Sequence, residues 1–325
     1  MSKVAKNNEA TEKSNYKIIN WKEYNESLCR RGDLTIWIEE GLSDKWYYEG
    51  IAQQGRPFIY SDDCIEFLLN LKVIFRLPYR QTRGFAGSIL GLMDLDLLLP
   101  SYTQISRRSA NIEVDIRVKK PTGSIHLVMD STGLKVYGEG EWKVRKHGVS
   151  KRRTWRKLHL AIDEKTGIIH AGTLTENDKD DASQVDAVLD QIDAEIDKFS
   201  GDGAYDKTKV WDCLKKDGIE GIIPPQRNAG FWEDEEGVLE EHDRNKILLK
   251  IGEYEDYEEG RKCWKENSNY HRRSLSETAM FRFKKIFGSE LYSRKIETQE
   301  VEAQIKISVL NRMTAIGMPI SISVN

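Results

Sequence analysis

Three carboxylates stand out by their surroundings. Glu277 lies in "NYHRRSLSETAMFRFKKIFG", residues 269–288, as a lone acid among arginines and lysines. At 100° per residue a helix over this stretch carries Tyr270, Arg273, Glu277 and Lys284 at about 0°, 300°, 340° and 320°, one compact face. Leu275, Ala279, Phe283, Ile286 and Phe287 largely fill the other side and can anchor the helix to a core. An i,i+4 Arg273–Glu277 pair is worth only roughly 0.2–0.5 kcal/mol and explains neither Lys284 nor Tyr270. A phosphate-facing site explains all four, with the carboxylate on a metal and Arg, Lys and Tyr on phosphate oxygens.

Asp130 closes the apolar run "SIHLVM", the end of a predicted strand, where open α/β sheets place ligand-binding groups. An Asp that merely initiates a turn is the alternative. Asp202 stands between Gly201 and Gly203 in "SGDGAYD". Glycines there let the backbone approach a ligand, but they also simply make turns. Three carboxylates on two strands and a helix suit two-metal phosphoryl transfer, in which hard Mg²⁺ or Mn²⁺ ions, two per site, take oxygen ligands. Cys29, Cys64, Cys213 and Cys263 are far apart, with no C-x-x-C and no paired histidines. That argues against zinc and against a disulfide framework, and fits a reducing cytoplasm.

The elements that must position these acids follow from periodicity. Ser61 or Asp62 caps a predicted helix over "CIEFLLNLKVIFRL" that Pro78 stops; a second follows over "YRQTRGFAGSILGLM" and a third from "PSYTQISRR". Three short helices ending near Arg107 and Arg108 suit a helix-turn-helix-like DNA-binding unit, with a plain helical bundle as the alternative. After residue 120 the texture changes. "SIHLVMD", "TWRKLHLAID" and "IIHAGTLT" read as strands, and "DASQVDAVLDQIDAEI" as an amphipathic helix that Asp180 or Asp181 can cap. A short strand at "KFS", a helix at "TKVWDCLKKDG" and a strand at "IEGIIPP" complete a β-β-β-α-β-α-β order. This predicts an α/β domain, a mixed sheet flanked by helices. The organisation expected is a disordered lead-in over 1–16, a mainly helical DNA-binding region over 17–120 and a catalytic domain over 121–325. An acidic polar segment at about 228–262 interrupts the last.

The net charge of −3 speaks at first against a nucleic-acid partner, but the distribution matters more than the sum. Residues 143–157 carry eight Lys/Arg and no acid, whereas residues 233–259 carry twelve acids against three bases. No apolar run approaches the roughly 20 residues a membrane span requires.

Together these motifs resemble a DDE transposase of a bacterial insertion sequence, in the "IS five" family. The Y-x2-R-x3-E-x6-K signature falls on Tyr270, Arg273, Glu277 and Lys284. The block "HLVMDSTGLKVYGEGEWKVRKHG", the block "GDGAYD" and the following "IIPPQRNAGFW" match the pattern around the other two acids, and the likeness runs from about residue 17 to 316. The resemblance implies an RNase H-like fold, a divalent-metal triad of Asp130, Asp202 and Glu277, and binding to the element's terminal inverted repeats in the bacterial nucleoid. It makes Tyr270, Arg273 and Lys284 contacts to DNA near the cleaved end. The basic stretch at Lys151, Arg152, Arg153, Arg156 and Lys157 would hold the backbone. Trp232 stacks on an unpaired base or is an ordinary core or surface Trp. Double-stranded DNA is then the partner, and a homodimer brings two ends together.

Two rivals remain. A DNA-binding repressor derived from a transposase would need none of the acids. A hydrolase using Asp130 as nucleophile would leave the Tyr–Arg–Glu–Lys face unexplained.

Overall fold

The computed structural model describes residues 15–38, 41–51, 57–116, 119–137, 154–233, 235–240 and 242–324. The chain enters through a short strand, β1 (Asn15–Ile18), and helix α1 (Trp21–Arg30). Three helices follow. In α2 (Asp62–Ile74) the Ser61 hydroxyl accepts from the Cys64 N–H, the N-cap that the sequence announces. Helix α3 (Tyr79–Leu92) starts directly after Pro78, and α4 (Tyr102–Arg108) opens on a Ser101/Gln104 capping box.

The sheet half is built on β2 (Ile125–Val136), β3 (Trp155–Asp163), β4 (Ile169–Glu176), β5 (Ile196–Ser200) and β6 (Glu220–Ile222). Their order across the sheet is β4-β3-β2-β5-β6, with β3 and β4 antiparallel and β5 and β6 parallel to β2. A three-strand meander followed by two parallel strands added beside its first strand is the RNase H-like arrangement. Helices α5 (Val185–Leu189) and α6 (Thr208–Lys216) supply the crossovers. The acidic segment folds as α7 (Asp243–Gly252) and α8 (Tyr257–Asn267) before α9 (Ser274–Phe287). Strand β7 (Glu290–Leu291), helix α10 (Ile296–Ile316) and strand β8 (Ser321–Val324) end the fold. Strand β8 pairs antiparallel with β1, so Asn15 and Tyr16, placed in the lead-in by the sequence, lie in a strand.

Side-chain alternation along β2 and β3 separates two cores. Leu134, Leu158, Leu160 and Ile162 face α2, α3, α9 and α10; Leu127, Met129 and Ala161 face the α5 and α6 side. Gly172 of β4 lets α10 approach, because a Cβ there would collide with Ile307. Asn311 of α10 meanwhile pairs with both backbone groups of Ile169, at 2.8 and 2.7 Å. The first core runs without a break from Trp37 to Met313, crossing the 120/121 position where the sequence texture changes.

Three sequence expectations are corrected. The "DASQVDAVLDQIDAEI" helix is only a 3-10 turn (Ala182–Gln184) and the short α5; Asp181 makes no cap bond and faces His159 instead. The helix expected over 269–288 begins at Ser274, behind a 3-10 turn (Tyr270–Arg273) entered from a left-handed Asn269. Asp130 does not end its strand. β2 continues through Ser131, Thr132 and Gly133, which pair with His159, Leu158 and Lys157 of β3. The S-T-G sequence reads locally as a turn, and the ladder to β3 overrides it.

Candidate active site

Strand register assembles the site. β5 pairs with β2 only as far as Val128↔Ser200, and β7 joins β2 only at Lys135. Residues 129–134 of β2 therefore have a described strand on the β3 side alone. Asp130 sits in this window, and Asp202, two residues past the end of β5, comes up beside it. Helix α9 packs over the same face of the sheet and presents Glu277 from its first turn.

Arg273 joins the acids. Its Nη1 donates to Asp130 Oδ2 at 3.1 Å and its Nη2 to Glu277 Oε1 at 2.9 Å. The i,i+4 pair thus exists, but as half of a bridge between two carboxylates 147 residues apart. Burial works against the charge of Arg273; Tyr270 and the negative charges of Asp130, Glu277 and Asp202 overcome it and hold the guanidinium above its ordinary value. Asp130 is half-buried, and burial pushes its pKa up, opposed by the Ser131 N–H (2.8 Å), the Ser276 hydroxyl (3.1 Å) and Arg273, while Asp202 adds repulsion. Glu277 is exposed. In a 3-10 turn residues three apart eclipse, so Tyr270 stays in line with Arg273 although it is outside the α-helix. Its ring centre lies 5.9 Å from the guanidinium carbon and 6.2 Å from that of Trp264. Lys284 follows on α9, half-buried, two turns beyond Glu277.

Asp202 caps the 3-10 turn Gly203–Tyr205 by accepting the Ala204 N–H at 2.8 Å. Gly201 has a packing reason: a Cβ there would lie 2.7 Å from the Tyr205 ring. The Tyr205 hydroxyl is buried without a hydrogen-bond partner among the described residues. Burial and the charges of Asp181, Asp130 and Asp202 hold it in the protonated form.

Sequence reasoning missed the groups that fix this geometry. Ser276 is fully buried and donates to Asp130. Asp206, four residues after Asp202, is buried and accepts from Arg244 Nε (2.7 Å), Trp211 Nε1 (3.0 Å) and the Gln226 N–H (3.0 Å). Arg244 also donates to the Gly230 carbonyl and lies 4.3 Å from the Trp232 ring centre, so Trp232 is packed against the core beside it. The available signal was Arg244 itself, one of only three bases in an acidic stretch.

The other basic candidates divide. Lys151, Arg152 and Arg153 lie outside the described residues. Arg156 donates to Gln299 (2.9 Å), and Lys157 to the Lys179 carbonyl (2.9 Å) with Asp181 at 3.4 Å. Arg108 bonds the Tyr60 carbonyl and Asp62 and covers the Phe58 ring. These three make contacts within the fold. Arg107 is exposed.

Two models of the family described as "Transposase DDE domain" match the chain, one over residues 29–139 and one over residues 121–312. The chain belongs to the transposase DDE domain family. Among solved structures it is similar to a simian T-cell lymphotropic virus intasome in complex with PP2A regulatory subunit B56 gamma (13% identity, TM-score 0.23). That match covers 45% of this chain and 51% of the other, so this chain spans about half the length of its relative. It is also similar to the piggyBac transposase synaptic complex with hairpin DNA (10% identity, 88% and 73% coverage, TM-score 0.39). A third likeness is to the Drosophila P element transposase strand transfer complex (10% identity, 91% and 85% coverage, TM-score 0.30). At these scores the strand order, not the likeness, identifies the fold.

DDE transposase domains use divalent metal ions. Among the described residues no three His, Cys, Asp or Glu side chains stand close enough together to hold one. The donors nevertheless fit, being all carboxylate oxygens, with a guanidinium already standing as the cation between two of them. No described helix is long and apolar enough to cross a membrane.

Proposed function

We propose that this chain is a transposase of the "IS five" type that binds the terminal inverted repeats of an insertion sequence. It would cut the element ends and transfer the resulting 3′-hydroxyls to target DNA, acting as a homodimer that holds two ends together. The observation that carries this reading is the meeting of Asp130 and Glu277 on the Arg273 guanidinium, within electrostatic reach of Asp202. Such an arrangement has no role in a plain helix salt bridge and suits a site that exchanges one cation for another.

Asp130, Asp202 and Glu277 would hold Mg²⁺ or Mn²⁺, two ions per site, whose chemistry is to make the attacking oxygen more acidic and to stabilise the departing one. The chain's own residues do the rest. Ser276 and the Ser131 N–H fix the Asp130 carboxylate, so it cannot rotate away when Arg273 leaves. Arg273, displaced from the acids, meets a DNA phosphate with the same two-pronged geometry it now offers to carboxylates. Tyr270 packs beside it and restricts its swing. Lys284, roughly 10 Å further along α9, reaches the next backbone segment.

The test is cleavage of a supercoiled plasmid carrying two repeat ends. Asp130→Asn, Asp202→Asn and Glu277→Gln should each abolish Mg²⁺-dependent cleavage while gel-shift binding to end DNA stays near wild type. Cleavage that survives in the Asp130 variant would overturn the triad; wild-type binding with no cleavage would leave a repressor.

A further inference from the structure

One cavity lies away from the acids. A groove of about 1290 Å³ lies between the helical N-terminal part and the catalytic half. Six bases line it: Lys72, Arg76, Arg107, Arg294, Lys295 and Lys306. They come from α2, the turn after it, α4, the turn before α10 and α10 itself. Glu302 is the sole acid in the lining, and it is fully engaged. It accepts the Tyr292 N–H (3.0 Å), the Ser293 N–H (2.8 Å) and Lys306 Nζ (2.8 Å), with the Glu302 and Lys306 side chains only 4% and 3% exposed. Lys72 has no such mate among the described residues. Its Nζ lies 5.1 Å from the Tyr79 ring centre, and burial lowers its pKa, with the attraction of Glu302 opposing and Lys306 adding repulsion.

Beside the buried Glu302–Lys306 pair, the half-buried Lys72 leaves the floor with one net positive charge, which an incoming anion can balance. Around it the rim bases Arg76, Arg107, Arg294 and Lys295 are exposed, and none has an ion pair with a carboxylate among the described residues. The volume exceeds that of typical small-molecule sites, roughly 300–1,000 Å³. The bases are spread over several elements, which matches an extended polyanion better than one small anion. Position adds the next constraint. Phe287, at the end of α9, lines the groove ten residues after Glu277, about 15 Å along a helix. Tyr137 lines it seven residues after Asp130, roughly 23 Å along an extended strand. At about 3.4 Å per base pair these distances correspond to roughly four to seven base pairs.

We propose that this groove is a second DNA-backbone site, gripping the phosphates of the bound duplex roughly four to seven base pairs inside the position cut by the acids. The inference rests on the transposase reading for its ligand. Its geometry is independent of the chemistry at Asp130.

The test uses the full-length protein and repeat-end duplexes. The exposed rim triple variant Arg107→Ala/Arg294→Ala/Lys295→Ala should bind end DNA more weakly. Its log Kd against log salt slope should fall by roughly 3, about 0.9 per lost phosphate contact. Phosphate-ethylation interference should disappear roughly four to seven base pairs from the cut and persist at the terminus. Arg107→Lys/Arg294→Lys, which keeps the charges, should retain slope and footprint. An unchanged slope and unchanged interference in the alanine variant would overturn the proposal, as would weaker binding of inorganic polyphosphate alone. The two readings fail separately: absent cleavage by the wild-type protein, with a slope that still falls in the alanine variant, sinks the catalytic assignment and leaves the groove, whereas intact wild-type cleavage with an unaltered slope and footprint in that variant does the reverse.

Discussion

Arg273 holds Asp130 and Glu277 at once, so on the proposed reading a divalent ion bound by these acids would have to displace it from one or both. Removing the guanidinium removes the competitor. Arg273→Ala should tighten Mn²⁺ binding, by roughly tenfold if about 1.4 kcal/mol of competition is relieved, while end cleavage falls because the phosphate contact is lost. Electron paramagnetic resonance titration of Mn²⁺ reads the first effect; weaker or unchanged binding would show that Arg273 does not compete. At this scale the sequence marks the face of Glu277 through its periodicity and marks Asp202 through its glycines. Ser276 stays hidden because its value lies in a hydrogen bond to a residue 146 positions away, and no local pattern carries that.

The Asp202 loop is braced at the level of elements. Asp206, on the same loop, is locked to Arg244 of α7, and both side chains are nearly out of water. Breaking one partner strands the other's charge, which costs about 3–5 kcal/mol. Arg244→Met should therefore lower the urea midpoint by that equivalent and abolish cleavage by loosening Asp202, although neither residue belongs to the triad. A variant with unchanged stability would mean the pair is not the brace. Strand and helix order is readable from periodicity because each run buries one side. Two elements escape that reading for identifiable reasons. β2 runs through Asp130 because pairing with β3 outweighs the turn preference of Ser-Thr-Gly. The α5 helix stops at Leu189 because its polar remainder buries nothing: Asp190, Gln191, Asp193 and Glu195 are exposed.

For the whole molecule, the shared core means that the helical N-terminal part and the sheet are joined by packing rather than by a linker. Glu66 of α2 is buried within this joint, and that burial pushes its pKa up to about 7, with Arg312 of α10 opposing. The sign follows from a folded value above the ordinary 4.5. The associated stability is fully present below about pH 4.5 and is lost as pH rises toward 7. Glu66→Gln replaces the titrating carboxyl with a neutral amide of the same shape. Its stability relative to wild type should grow by roughly 3 kcal/mol between pH 4.5 and pH 8, at about 1.4 kcal/mol per unit, in urea titrations across that range. A flat difference would place Glu66 in water. This joint was not legible in the sequence, where composition shifts at residue 120 while the buried surface does not.

The β1–β8 ladder has a kinetic consequence. It links Asn15–Ile18 to Ser321–Val324, closing a loop of almost the entire described chain, and it is only two strands wide. Closing so long a loop carries the largest chain-entropy penalty in the molecule, and a lone pair of strands returns little for it. The ladder therefore zips after the sheet has formed and frays before the sheet opens, which makes its amides a clock for the last step of folding.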